Sequence, residues 1–200
     1  MDSHKFPIVL LISGRGSNME ALIKRINEKH LPIKIAAVIS DKASAPGLAI
    51  AHNHNIPTVI VPRQSQTKSN EEFNQLLIDA VKGFHPELIV LAGFMRVLAA
   101  NFISTFKNKI INIHPSLLPS FPGLAAQEQA LNAGVKVTGC TVHYVNNDVD
   151  AGPIIAQTAV PVLADDTVES LQKRILEQEH QLLPAVVEAI ASGGIKLPSK

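Results

Sequence analysis

Cysteine is almost missing from this chain: Cys140 is the only one in 200 residues. A single thiol excludes an internal disulfide framework and a zinc site built on several cysteines, and it reads as a small buried apolar residue. Net charge is missing too. The 18 Lys and Arg stand against 17 Asp and Glu, leaving +1. No global field therefore draws nucleic acid or an anionic membrane, and any anion site has to be local. Long apolar runs are absent. Met1 to Lys5 is polar, and Ile8 to Ile12 is too short for a signal core or a membrane span. Internal repeats, low-complexity tracts and linkers do not occur. Nor do a G-x-S-x-G elbow, a Walker loop or an H-E-x-x-H pair. What is left is a globular composition, 46% hydrophobic and 18% charged, of single-domain size. It suits a cytoplasmic enzyme or binding protein that handles small molecules, with no nucleic acid, membrane or metal partner.

Short apolar runs alternate with helical stretches through the first hundred residues. Strands are expected at Ile8–Ile12, Ile33–Ile39, Thr58–Val61, Leu88–Ala92 and Lys109–His114. Helices are expected at Met19–Glu28, Leu48–His54 and Phe73–Val81. Such alternation predicts an α/β fold of Rossmann-like type, a mostly parallel sheet with helices on both faces. Ligands of such sheets bind at the carboxyl ends of the strands. The second half changes character. Val135–Val145 and Pro153–Val162, separated by a turn-rich stretch, predict a mixed or antiparallel C-terminal extension. A long helix starts near Asp166–Thr167, is expected to kink at Pro184, and ends at Gly193–Gly194.

Three polar motifs fall just after strands. Gly14-Arg15-Gly16-Ser17-Asn18 opens the first helix, where free amides and the helix dipole favour an anion. Met19 occupies the third glycine position of a dinucleotide fingerprint, so a phosphate monoester fits better, although Asp41 keeps the dinucleotide reading open. In Asn112-Ile113-His114-Pro115-Ser116, strand alternation puts Asn112 and His114 on one face, and Pro115 stops the strand. An amide beside an imidazole suits oxyanion stabilisation; the plainer alternative is a polar pair fixing a strand end. In Asn146–Pro153 the oxygen-rich alternation resembles a calcium loop. Ala151 and Gln157 occupy its glycine and bidentate glutamate positions, so that reading fails. The remaining readings are a plain turn, or a turn that brings Asp150 to charge and hold His114.

In the last helix Val168, Leu171, Ile175, Leu182 and Ile190 mark an inward stripe that Gln178 and Glu179 interrupt. A carboxylate at such a position either finds a partner or escapes to solvent.

Taken together, these segments resemble the folate-dependent formyltransferases, and within them the enzymes acting on glycinamide ribonucleotide in purine synthesis. The resemblance runs over essentially the whole chain. It rests on Leu11-Ile12-Ser13-Gly14-x-Gly16-Ser17-Asn18, Leu91–Leu98 (LAGFMRVL), Asn112–Pro119 (NIHPSLLP) and Asp150-x-Gly152-Pro153. It implies a single formyltransferase domain over 1–200, with a phosphate-binding half (1–100) and a folate-binding and catalytic half (101–200). The implied activity moves the formyl group of 10-formyltetrahydrofolate to the amine of N1-(5-phosphoribosyl)glycinamide, without a metal, in a monomer or weak homodimer.

Residue by residue, the resemblance makes Asn112, His114 and Asp150 the catalytic trio, with His143 in a matching segment. Gly16, Ser17, Asn18 and Glu179 match the ribonucleotide site. Met95, Arg96, Val97 and Leu98, together with Asn112 and Asn146, Asn147, Asp148, Val149 and Asp150, match the folate pocket. Two departures stand out. Asn70 replaces a frequent arginine near the folate tail, with Arg63 or Lys68 as substitutes, and Ala125-Ala126-Gln127 replaces frequent histidines. Other readings remain distinguishable. A methionyl-tRNA formyltransferase or a formyl-folate hydrolase is expected to carry a further domain. A nicotinamide dehydrogenase needs Asp41 on a ribose, and a phosphate sensor binds without turnover.

Overall fold

Apolar runs with opposite faces filled by different neighbours determine the layers of this protein. In the computed structural model, which describes residues 5–62 and 70–198, the elements follow in order. They are β1 (Phe6–Ile12), α1 (Ser17–Glu28), β2 (Ile33–Ser40), α2 (Gly47–Asn53), β3 (Thr58–Ile60), α3 (Asn70–Lys82) and β4 (Leu88–Leu91). There follow α4 (Ala100–Thr105), β5 (Ile110–His114), α5 (Ala126–Asn132), β6 (Val137–Tyr144), β7 (Ile154–Pro161) and α6 (Val168–Ala191). The strands join one 7-stranded sheet, ordered β3-β2-β1-β4-β5-β6-β7. Pairing is parallel from β3 to β5 and antiparallel for β5–β6 and β6–β7, the mixed extension that the second half predicts.

Alternation along the central strands divides the core. Ile8, Leu10 and Ile12 of β1 and Leu88 and Val90 of β4 face a layer shared with α1 and α6. Val9, Leu11, Ile89 and Leu91 face the layer of α3 and α4. Each such side chain contributes about 1.5–3 kcal/mol of burial, which is why both faces of these runs are apolar. On β5, Ile111 and Ile113 enter the α1/α6 layer while Ile110 enters the other. Asn112 and His114 therefore share the face of Ile110.

The helices depart from expectation in three places. Helices α4 and α5, of six and seven residues, are absent from the sequence reading; at under two turns each carries little helical periodicity, although the equally short α2 is expected. Helix α6 runs through Pro184 as one 24-residue helix. Its buried stripe is Leu171, Ile175, Glu179, Leu183 and Val187, so Leu183 replaces Leu182 and Val168 is exposed. The helix starts where predicted. The Thr167 hydroxyl accepts from Ser170 N–H and the Ser170 hydroxyl accepts from Thr167 N–H, a reciprocal cap. Among the described residues, no helix is long and apolar enough to cross a membrane.

Cys140 lies fully buried on β6. Burial, aided by the charge of Glu179, pushes its thiol up to about 12. A thiol-reactive dye at mildly alkaline pH is therefore expected to leave the native protein unlabelled and to label one thiol per chain in denaturant. Rapid stoichiometric labelling of the native protein contradicts this placement.

Candidate active site

The strand order reverses direction between β1 and β4, so the connections leaving these strands diverge and leave a crevice at their carboxyl ends. A cavity of about 990 Å³ occupies that position. Its wall is built from the segments after β1, β4, β5 and β6 together with one face of α6. The segments after β1 and β4 are stitched together: Ser13 N–H donates to Gly93 O (3.1 Å), and Met95 N–H donates to Ser13 Oγ (2.9 Å).

Asn112, His114 and Asp150 meet in this cavity. His114 Nδ1 stands 3.2 Å from Asp150 Oδ2, and Asn112 Nδ2 stands 3.5 Å from Asp150 Oδ1. The other ring nitrogen of His114, Nε2, is 2.9 Å from Phe121 O. Both ring nitrogens thus face oxygen acceptors, and both donate when the ring carries its second proton. Antiparallel register sets His143 directly opposite Asn112, and its Nε2 lies 3.2 Å from Asn112 Nδ2. His143 Nδ1 faces the Tyr144 carbonyl at 2.9 Å and can only donate there, so Nε2 is left to accept from Asn112 when the ring is neutral. The sequence offered for His143 only its place in a matching segment; strand register supplies its role.

Asp150 arrives through a tight turn. The 146–152 segment folds back so closely that a Cβ on Gly152 would stand 1.7 Å from Tyr144 O, so only glycine fits there. Asp150 itself has φ 52, in the left-handed region that its short polar side chain tolerates. Gly123 N–H donates to Asp150 Oδ2 at 2.8 Å, which ties the loop after β5 to this turn. Burial pushes the Asp150 carboxyl up, but His143, the Gly123 amide and the charge of His114 outweigh it and hold the group below its ordinary value. At 3.7 Å His143 is beyond hydrogen-bond length, so we assign most of the lowering to Gly123 and His114.

At the other end of the cavity, Gly16 caps α1 and Ser17 and Asn18 form its first turn, two residues earlier than the expected start at Met19. One amide N–H of Asn18 donates to Glu179 Oε2 at 2.7 Å, and both residues line the cavity. Glu179 is 7% exposed and occupies a core-stripe position, so the carboxylate finds a partner instead of solvent. Burial drives its pKa up, against the pull of Asn18. Arg15, Lys42 and Lys173 add positive charge around this end. Lys173 is missing from the sequence reading, because only the docking of α6 on the sheet brings it to the cavity.

Met95, Val97, Leu124 and Val149 are 54–80% exposed, and all four line the cavity as apolar lips. Asn146, Asn147 and Asp148 line it beside them, with Arg96 and Leu98. Arg96 Nε donates to Asp41 Oδ2 at 2.8 Å, and the Asp41 side chain is fully buried. That carboxylate is spent on Arg96, which removes the dinucleotide reading that required it on a ribose. The 121–127 stretch is partly helical, since α5 begins at Ala126 after left-handed residues at Phe121, Gly123 and Ala125. Arg63, Lys68 and the Asn70 side chain lie outside the described residues.

Residues 6–187 match the sequence profile of the formyl transferase family. The chain is similar to the phosphoribosylglycinamide formyltransferase of Escherichia coli (strain K12), at 40% identity over 95% of this chain and 89% of that protein. It is 45% identical, over 98% of its length, to the trifunctional purine biosynthetic protein adenosine-3 of Gallus gallus, of which it spans 20%. Among solved structures, glycinamide ribonucleotide transformylase 1 from Symbiobacterium toebii superposes with TM-score 0.93 at 43% identity, covering 99% of this chain and 93% of that one.

The raised Glu179 pKa carries a signed prediction. The folded chain holds this proton to higher pH than the unfolded chain. The associated stability is therefore complete below the unfolded value and is lost as pH rises through the folded one. Glu179→Gln removes the titration. Denaturant unfolding at about pH 4 and about pH 8 is expected to show the variant gaining stability relative to the parent as pH rises. A difference that stays flat or falls with pH places the carboxylate in a better-solvated site than the geometry gives.

Proposed function

The chain belongs to the formyl transferase family, and from that membership we propose that it moves a formyl group from 10-formyltetrahydrofolate to the amine of N1-(5-phosphoribosyl)glycinamide in purine synthesis. The observation that carries this reading is the meeting of Asn112, His114 and Asp150 in a cavity with a cationic anion-binding end and an apolar mouth. One end suits a sugar phosphate and the other a flat heteroaromatic donor. The reacting groups then meet at the trio between them. In this reading one formyltransferase domain divides its labour, with the phosphate held by the first hundred residues and the donor and chemistry by the second hundred.

The substrate amine attacks the formyl carbon, and the carbonyl oxygen becomes an oxyanion. Asn112 donates to it; its contact to Asp150 Oδ1 is long at 3.5 Å, which leaves one amide N–H loosely held and free to turn. His114 donates through Nε2, exchanging the Phe121 carbonyl for the oxyanion while Nδ1 stays on Asp150. Asp150 holds the imidazole by Nδ1 and so aims Nε2 at the reacting carbonyl. Directly or through a water it accepts the proton released by the amine, which becomes an amide nitrogen. The carbon–nitrogen bond to the folate breaks, the electron pair returns to the folate nitrogen, and that nitrogen takes the proton. Glu179, held by Asn18, faces the ribonucleotide, while Met95 to Leu98 and Asn146 to Asp150 surround the donor.

Losing one oxyanion donor typically costs on the order of 100- to 1,000-fold in turnover, so Asn112→Ala and His114→Ala are expected to lose that much while still binding both substrates. Near-parental turnover in either variant removes that residue from the mechanism. The reaction itself is checked by following formyl-folate consumption with and without glycinamide ribonucleotide. Consumption that ignores the ribonucleotide identifies a hydrolase and overturns the proposal.

A further inference from the structure

An anion-binding loop works only if its amides, and not its carbonyls, face the ligand. In the Gly14–Asn18 loop this orientation is imposed from outside, by Gly47 at the start of α2. Gly47 N–H donates to Gly14 O at 3.1 Å. A Cβ built on Gly47 would lie 3.1 Å from Gly14 O, 3.3 Å from Arg15 O and 2.6 Å from Ile12 Cδ1. Both loop carbonyls therefore rest against the Gly47 backbone, with no room for a side chain between. In a planar trans peptide the next N–H points opposite to the carbonyl, so this contact aims the Arg15 and Gly16 amides away from α2. Neither amide has a hydrogen-bond partner among the described residues. Gly16 completes the fit from the loop side, since its own Cβ would stand 3.1 Å from Gly47 Cα, and its φ of 74 is in the left-handed region.

We propose that Gly47 is a positioning residue for the ribonucleotide phosphate: it holds the Gly14 and Arg15 carbonyls back so that the following amides point at the anion. The inference rests on the formyl-transfer reading for the identity of the substrate, but the loop's affinity for phosphate is testable without it. Gly47 is not among the residues that line the cavity. A methyl group there displaces the carbonyls by several tenths of an ångström and turns the amides off the phosphate.

The test is steady-state kinetics of Gly47→Ala, with Ile12→Val/Gly47→Ala as its companion. Ile12→Val removes the Cδ1 atom at 2.6 Å and relieves the core clash, but leaves the two carbonyl contacts in place. Weakening one or two charge-assisted amide bonds is expected to raise KM for the ribonucleotide about tenfold or more. On the same grounds kcat at saturation should stay within about threefold and the donor KM should not change. Inorganic phosphate should lose potency as a competitive inhibitor in parallel. The KM defect should persist in the double variant. Recovery there shows that the effect runs through core packing and overturns the proposal, as does a folded Gly47→Ala with parental KM.

A second measurement needs no variant. Titrating inorganic phosphate into the ¹⁵N-labelled parent protein should shift the Arg15 and Gly16 amide resonances, and unmoved resonances overturn the proposal even if the variants fail to fold. A parent protein that binds phosphate through these amides but does not formylate the ribonucleotide defeats the proposed function and leaves the loop assignment standing.

Discussion

One carboxylate holds the reactive end of this protein together. Asp150 takes the Gly123 amide and the His114 ring on one oxygen and approaches Asn112 with the other. It thereby joins three segments that sequence separates: the end of β5, the loop after it, and the turn after β6. Each segment is independently restrained. Thr141 on β6 pins the loop, donating to Ser116 O and accepting from Leu118 N–H, and Gly152 closes the turn onto Tyr144. The carboxylate is thus gripped from several sides in a partly buried site, where charge interactions are stronger than in water. Asp150 is what holds the imidazole in place beside Asn112.

Other buried carboxylates near the cavity are treated differently. Asp41 is fully buried and answered by Arg96, with its Oδ1 lacking a hydrogen-bond partner among the described residues. Glu179 is buried with a single neutral amide for company, in a stripe position where leucine or isoleucine would pack. Packing alone does not explain Glu179, because an apolar residue there avoids the desolvation cost altogether. Its presence makes sense as stability given up at a site that must recognise polar groups. Asn18 is the linking element: it sits in the first turn of α1, and its side chain fixes the carboxylate of α6 beside the anion loop.

Periodicity and breakers made most of the architecture legible. Runs such as Ile8–Ile12 read as two-faced buried strands because they are apolar throughout, and the sheet places them at its centre. Strand alternation placed Asn112 and His114 on one face because the period of a strand leaves no choice. Helices α4 and α5 escaped, since segments under two turns carry little period to detect; α2, equally short, did not. Convergence also escaped direct reading. Nothing local in Asn146–Gly152 says that the turn bends back onto β5, and nothing in Lys173 says that α6 lies over the cavity. Both depend on tertiary docking, and for Asp150 only resemblance to known sequences supplied the contact in advance. The Asp41 position shows the opposite failure. A carboxylate at the end of β2 looks like a ribose ligand until the Arg96 side chain is found on it.

The two ends of the cavity also share one frame. The loop after β1 carries the amides proposed to bind the anion and the loop after β4 carries two of the four apolar lips, Met95 and Val97, and Ser13 and Gly93 bond these loops to each other at the strand ends. β1 and β4 are adjacent parallel strands in fixed register, so the distance between the two binding regions is set by the sheet and not by flexible linkers. That matters for the two-substrate transfer proposed above. Fixing both reactants in near-attack geometry can supply roughly 7–11 kcal/mol of the barrier, more than the roughly 2.7–4 kcal/mol expected from a single oxyanion donor. For the proposed reaction, positioning of this kind outweighs any one member of the trio, and the pairing of β1 with β4 is part of the frame that provides it. The polar residues at the end of β5 then act on a geometry that the centre of the sheet has already imposed.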